Sequence, residues 1–323
     1  MASSREHTIQ GIVYNQDGKV QEATEEFQQA IRLDPNYFEA HFNLGNLLHH
    51  EGLLEQALKE CRIAVLLDSN DPDAHYNLGN VLKDKGLLNE AIAEYKIAIY
   101  LAPDDADAHY NLGNALLETY REDLLGEAEA EFRKSLQIDP NSSEAHVNLG
   151  NCLRRKGLYR EAIVEFDQAI SLNQGSFTAH FNLARVLDEA YQIDKAIFAY
   201  EQAVTLNATD IDLSDAHFFL GNALQKRERL DEAINEYHKA LRLNNESYAT
   251  HVQLGSALHE VGLLDEAVKE YQLGLILLPE HAYFQDDKIT VFHLLADAYS
   301  EIGSLDLSSD FRRKASDLES ARC

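Results

Sequence analysis

The sequence predicts an all-α solenoid of stacked helical hairpins, and three observations carry that expectation. A six-residue phrase recurs along the chain: HFNLGN from His41, HYNLGN from His75 and His109, HVNLGN from His146, HFNLAR from His180, HFFLGN from His217 and HVQLGS from His251, with weaker copies at His7 and Phe292. The steps between copies are 34, 34, 34, 37, 34, 37, 34 and 41 residues. A fixed period of this size marks units that cannot bury their apolar faces alone and must stack. Within each period apolar residues recur at helical spacing in two runs with a break between them.

Nine units follow: 4–37, 38–71, 72–105, 106–142, 143–176, 177–213, 214–247, 248–288 and 289–322. In the second unit His41, Leu44, Gly45 and Leu48 share one face of a first helix. Gly52 interrupts the pattern, as a turn does. Leu54, Ala57, Cys61 and Ala64 then form a second face, with Glu55 at the helix start, where the helix dipole favours an acid. Asp34-Pro35, Ala102-Pro103, Asp139-Pro140 and Leu278-Pro279 close second helices, because proline cannot continue them. Three units carry extra residues. The sequence places them in the hairpin turn of the fourth unit (Thr119–Gly126), after the second helix of the sixth (Thr209–Leu213), and before the ninth (Ala282–Lys288), where they are expected to loosen the last hairpin.

Counting His41 as position 4 of its unit, Leu44, Leu78, Leu112, Leu149, Leu183, Leu220 and Leu254 fall at position 7. Ala23, Ala57, Ala91, Ala128, Ala162, Ala196, Ala233 and Ala267 fall at position 20, and Phe27, Tyr95, Phe132, Phe166, Tyr200, Tyr237 and Tyr271 at position 24. The pattern resembles the tetratricopeptide repeat (TPR) family, with histidine in place of the family's usual tryptophan at position 4 and a degenerate last unit, Ser308 at 20 and Arg312 at 24. The resemblance implies a right-handed α-solenoid, a superhelix of about nine TPR helix-turn-helix units spanning 4–322. First helices would line a concave groove and second helices its convex back.

The groove-facing positions are expected to be 2, 5, 6, 9, 12 and 13, opposite the packing face of the first helix. Position 6 carries Asn43, Asn77, Asn111, Asn148 and Asn182; position 9 carries Asn46, Asn80, Asn114 and Asn151. A carboxamide offers a donor and an acceptor, so a row of them can hold the backbone of an extended chain. The position-6 row is similar to the asparagine ladder of the O-GlcNAc transferase superhelix. Tyr76 and Tyr110 at position 5, and Asp73 and Asp107 at position 2, complete the expected peptide-binding set. From the sixth unit the lining changes, to Arg185 at position 9 and Phe219 at position 6.

Composition narrows the partner. Asp and Glu number 55 against 28 Lys and Arg, a formal charge of −27, which opposes binding to nucleic acid or to an anionic membrane surface. No apolar run approaches the roughly 18 residues of a membrane span, and MASSREHTIQ has no apolar signal core. Cys61, Cys152 and Cys323 show no paired spacing, which fits an intracellular, reducing location. Eight of the 14 histidines sit at position 4, one per unit, too far apart to share a metal, and so read as core residues. Glu at position 23 reads as a solvated stripe on the back, and Arg154-Arg155-Lys156 as a surface island. Most glycines belong to the repeat, so no phosphate loop or nucleophile elbow remains. The expected function is therefore a non-catalytic scaffold without cofactor or metal. It would bind an extended, basic or neutral protein or peptide, with the superhelix ends available for oligomerisation. The alternative is the TPR targeting region of an O-GlcNAc-transferase-like glycosyltransferase whose catalytic domain is absent from this chain. A chaperone adaptor of the carboxylate-clamp type fits poorly, because no unit has Lys at position 5 or a base at position 6.

Overall fold

Caps and turns set the helix limits. In this computed structural model, which describes residues 3–320, most first helices start on a side chain that accepts from the first turn: Ser3 in a capping box with Glu6, Asp71 from the Ala74 N–H at 2.8 Å, Ser142 from Ala145 at 3.2 Å. They end where position 15 turns left-handed. There Gly18, Gly52, Gly86, Gly157, Gly262 and Gly303 have φ between 72° and 87°. The following N–H closes the turn, as Leu53 does on the Leu48 carbonyl at 2.9 Å.

The chain divides into two compact units, one ending at Leu158 and the other starting at Tyr159. The first holds α1 (Ser4–Gln16), α2 (Val20–Leu33), α3 (Phe38–His50), α4 (Leu54–Leu67), α5 (Pro72–Asp84), α6 (Leu88–Leu101), α7 (Ala106–Glu118), α8 (Leu125–Ile138) and α9 (Ser143–Arg155). The second holds α10 (Tyr159–Leu172), α11 (Phe177–Glu189), α12 (Ile193–Ala203), α13 (Asp210–Lys226), α14 (Leu230–Leu243), α15 (Tyr248–Glu260), α16 (Leu264–Leu277), α17 (Gln285–Ile302) and α18 (Leu305–Ser320). Odd-numbered helices are the first helices of the repeat. Residues 321–322 of the last expected unit, and Cys323, lie outside the described residues.

Within each unit a first helix packs on its own second helix and on the second helix before it. Successive first helices also touch, α1–α3–α5–α7–α9 in one unit and α11–α13–α15–α17 in the other. Successive second helices make no comparable contact among the described residues. Each stack therefore closes on its first-helix side and opens crevices between its second helices. The core is a row of identical joints. All eight position-20 alanines are fully buried. A Cβ on Gly79 would stand 2.7 Å from the Tyr95 ring, and one on Gly221 2.5 Å from the Tyr237 ring. The ring at position 24 thus lies directly on the backbone of position 8.

Two insertions extend first helices. Asp210–Leu213 is not a loop but an added first turn of α13, capped by the Thr209 hydroxyl, which accepts from the Asp212 N–H at 3.1 Å. Residues 282–288 likewise form a 3-10 turn, Ala282–Phe284, and the start of α17. The expected loosening does not occur there, because the extra residues continue a helix rather than a connection. The fourth unit's insertion does lie in its hairpin turn, as a 3-10 turn at Glu122–Leu124.

Candidate functional site

The face built by the first helices begins with histidine. The position-4 rings are buried in His41, His75, His109 and His251. Each Nδ1 meets the position-23 carboxylate of the same hairpin: Glu60, Glu94, Glu131 and Glu270, all at 2.6 Å. Each Nε2 meets a backbone carbonyl of the turn before its helix: Pro35, Ser69, Pro103 and Asn245, at 3.0 to 3.3 Å. The position-23 acids are therefore not a solvated stripe; Glu60 and Glu236 keep only 12% and 11% of their side-chain surface. Burial works against charge on His41. The hydrogen bonds to Glu60 and to the Pro35 carbonyl prevail and raise its pKa above the usual histidine value. Burial likewise opposes the Glu60 charge, but the bond to His41 leaves that carboxyl below its usual value. Sequence reasoning missed these pairs. The signal was present: His and Glu recur in step, 19 residues apart, as at His41 and Glu60 or His217 and Glu236.

Outward from this joint lies the row expected to bind peptide. In the first unit the Tyr76 ring rests against the Tyr95 ring with centroids 6.1 Å apart, and Tyr110 against Phe132 at the same distance. Their hydroxyls reach the next first helix, where Asn111 Nδ2 donates to Tyr76 at 2.8 Å and Asn148 Nδ2 to Tyr110 at 3.0 Å. Asn148 Nδ2 also donates to Asn114 Oδ1 at 2.7 Å. Asn80 accepts from the buried Tyr95 hydroxyl at 2.7 Å, so it completes the core as well as lining the face. Asn43 donates to the Glu39 carbonyl of its own helix at 2.6 Å. Asn46, Asn77 and Asn151 are half-buried, and their side chains make no hydrogen bond among the described residues. Asp73 and Asp107 stand exposed at the same end of their helices. Partial burial, then Asp71 and Asp105, push the Asp73 carboxyl above its usual value.

In the second unit the row changes character. Asn182 is 8% exposed and belongs to the core rather than to an open face. Phe219 takes the place of the next asparagine. It lies 5.8 Å from Phe181 and 5.2 Å from Phe218. The Arg185 guanidinium sits over both Phe181 and Phe219, at 5.9 and 5.5 Å. Asn222 repeats the role of Asn80, accepting from the Tyr237 hydroxyl at 2.7 Å.

The residues with other expected roles are placed as follows. Cys61 and Cys152 are buried, and burial pushes their thiols up to about 12 and about 11. The basic island is engaged: Arg155 donates to the Leu117 carbonyl and to Glu122, both at 3.0 Å, and Lys156 pairs with Glu129. Among the described residues no three His, Cys, Asp or Glu side chains converge as metal ligands. No described helix is long and apolar enough to cross a membrane.

An all-α stack of helical hairpins, joined by a small residue at position 8 under a ring at position 24, defines a helical-repeat protein. Family models described as TPR repeat match residues 11–52, 45–86, 79–119 and 221–262, and tetratricopeptide repeat models match 131–164 and 177–210, together more than half of the chain. The chain belongs to the tetratricopeptide repeat family. No curated protein matches it. Among solved structures it is similar to YrrB, described as a TPR protein with an unusual peptide-binding site. That likeness has 26% identity and a TM-score of 0.50, over 56% of this chain and 92% of YrrB. A tetratricopeptide repeat protein from Parabacteroides merdae shares 18% identity and a TM-score of 0.57, over 79% of this chain and 98% of its own. MamA of Desulfovibrio magneticus shares 19% and 0.50, over 52% and 94%. The last two likenesses show the fold alone.

Proposed function

We propose that the chain is a non-catalytic protein-interaction scaffold whose nine repeats, 4–322, hold an extended, basic or neutral peptide on the first-helix face, chiefly that of the first unit. The row of carboxamides carries this reading. The Asn77 side chain has no hydrogen-bond partner among the described residues, and Asn111 and Asn148, whose amides brace the tyrosines, retain acceptor oxygens. Asp73 and Asp107 flank the row, and the charge crowding at Asp73 favours a basic ligand. The likeness to YrrB, itself described with a peptide-binding site, supports the same reading. The face is equally suited to the targeting arm of an O-GlcNAc-transferase-like enzyme, and a transferase assay of the full-length gene product separates the two.

The test is titration of the chain with a panel of extended peptides of basic, neutral and acidic composition. Basic and neutral peptides should bind. The triple variant Asn77→Ala, Asn111→Ala, Asn148→Ala should weaken them at least tenfold, since three backbone-directed bonds amount to roughly 1.5–4.5 kcal/mol. Unchanged affinity in a folded triple variant would overturn the reading.

A further inference from the structure

The crevices between successive second helices repeat along each stack, and equivalent crevices can be compared residue by residue. Between α2 and α4 the crevice has a floor of Leu44 and Leu48 from α3 and a polar wall of Gln56, Lys59 and Glu60 from α4. Between α10 and α12 the floor is the equivalent Leu183 and Leu187 from α11. The wall is not equivalent. Phe198 and Ala199 stand in the places of Lys59 and Glu60. Ile163 of α10 adds to the apolar lining, and the cleft encloses about 450 Å³, against about 330 Å³ for its polar counterpart.

The substitution has a consequence inside the joint as well. Ala199 occupies position 23, so the sixth hairpin lacks the carboxylate that meets the position-4 histidine in the seventh, and the His180 ring bonds to the Gln174 carbonyl at 3.2 Å. Phe198 is 63% exposed although it borders an apolar cleft, which leaves a large ring half covered. The rim is charged. Asp194 is already paired with Arg227 at 2.9 Å, and Lys195 donates to Gln192 at 3.0 Å. Asp167, in the place that Gln28 holds in the first crevice, makes no ion pair or side-chain hydrogen bond among the described residues. Burial of its crevice side, partly offset by Lys195, pushes its carboxyl above the usual value.

We infer that the α10–α12 crevice, on the second-helix side of the second unit, is a second docking site that takes an aromatic or aliphatic anchor side chain from a partner segment bearing a lysine or arginine beside it. The leucine floor and Phe198 cover the anchor, and Asp167 pairs with the cation. The complementarity is specific to this repeat: between α2 and α4 the uncharged Gln28 stands in the place of Asp167, and the one lining carboxylate, Glu60, is already held by His41 and Lys59. The site is separate from the first-helix face and stands whether or not that face binds peptide.

Methyl NMR of the full chain tests this with two capped tripeptides, acetyl-Lys-Phe-Lys-amide and its acidic twin acetyl-Glu-Phe-Glu-amide. The basic probe should saturably shift the Ile163, Leu183 and Leu187 methyls, and the acidic one should bind at least tenfold more weakly. Phe198→Lys with Ala199→Glu restores the wall found on α4 and should weaken the basic probe at least tenfold. Asp167→Asn, an exposed change that spares the packing, should weaken it several-fold and narrow the difference between the probes. Equal response to both probes, or unchanged affinity in Asp167→Asn and in the double variant, would overturn the proposal. So would sedimentation showing self-association that Phe198→Lys abolishes, since the occupant would then be a second copy of the chain.

Discussion

The two units solve one problem in different ways. Each must join a first helix to the next across a seam that also faces outward. The first unit joins them with hydrogen bonds, Tyr76 to Asn111 and Tyr110 to Asn148. The second joins them with rings, Phe181 against Phe219, capped by Arg185. A polar seam leaves donors and acceptors for a ligand but adds only about 0.5–1.5 kcal/mol per bond. An aromatic seam adds apolar burial and about 0.5–1.5 kcal/mol per ring pair beyond it, and leaves little to hydrogen-bond. Identical helical geometry thus supports two kinds of face, and the residues at positions 5, 6 and 9 decide which.

The histidine joints sharpen the comparison most. In the first unit they occur at His7, His41, His75 and His109, each with its glutamate. In the second unit the sixth hairpin lacks the glutamate, and the ninth has Phe292 at position 4. His41→Ala removes the buried partner of Glu60 and leaves only the exposed Lys59 beside it, and should cost up to roughly 3–5 kcal/mol of local stability, read by amide hydrogen exchange in α3 and α4. The pair also has a pH signature. The raised His41 contributes fully below its usual value of 6.5 and is lost as pH rises through its higher folded value. The lowered Glu60 contributes fully above its usual 4.5 and is lost as pH falls through its lower folded value. Protection of α3 and α4 should therefore be greatest between those two usual values and decline on both sides. Protection of α11 and α12, which lack the pair, should change less over the same range. Equal pH profiles would break the comparison at its root.

Next in size are the seams. Phe219→Ala should cost roughly 3 kcal/mol, in line with truncating a packed phenylalanine. Tyr76→Phe should cost about 1 kcal/mol, the loss of one hydrogen bond. Denaturation monitored separately in the two units checks both. Similar costs would mean that the hydroxyl network contributes as much as the rings.

How much of this could be read in advance depends on range. The hairpins follow from spacing alone, because Gly52, Ala57 and Leu44 report local turns and packing with a fixed period. The face composition was also legible, since Asn77 and Asn111 occupy equivalent places by count. What the sequence did not reveal was how side chains on different helices share their polar atoms. Asn80 looked like a ligand group, yet its oxygen accepts from Tyr95, a partner fixed only when α5 and α6 pack. Glu60 looked solvated because an acid on the second helix usually is, and only the packed hairpin turns it onto His41. The extra residues of the sixth unit follow its second helix, but their helical form rests on the Thr209 cap, a local cue that the repeat period does not report.

The smallest expected effect concerns the turns. Position 15 turns left-handed in all nine described hairpins, whatever residue stands there: where glycine is missing, Tyr120, Tyr191 and Glu228 take φ of 55°, 58° and 57°. A side chain there crowds its own backbone, at a cost of about 1–2 kcal/mol, because the left-handed region is unfavourable for residues with a Cβ. Tyr191 is 89% exposed, so its ring returns little packing energy for that strain. The closing bond from the Gln192 N–H to the Leu187 carbonyl, 2.8 Å, matches the bond after Gly52, so glycine fits the same turn. Tyr191→Gly should therefore stabilise the second unit, by about 0.5–1 kcal/mol once glycine's greater freedom in the unfolded chain is set against the relieved strain. Gly52→Tyr in the first unit should do the reverse, by a similar or larger amount. Thermal melting of the two variants reads both signs. If Tyr191→Gly instead lowers stability, the exposed ring holds the turn by a contact, and the difference between the tyrosine and glycine turns is one of function rather than of strain.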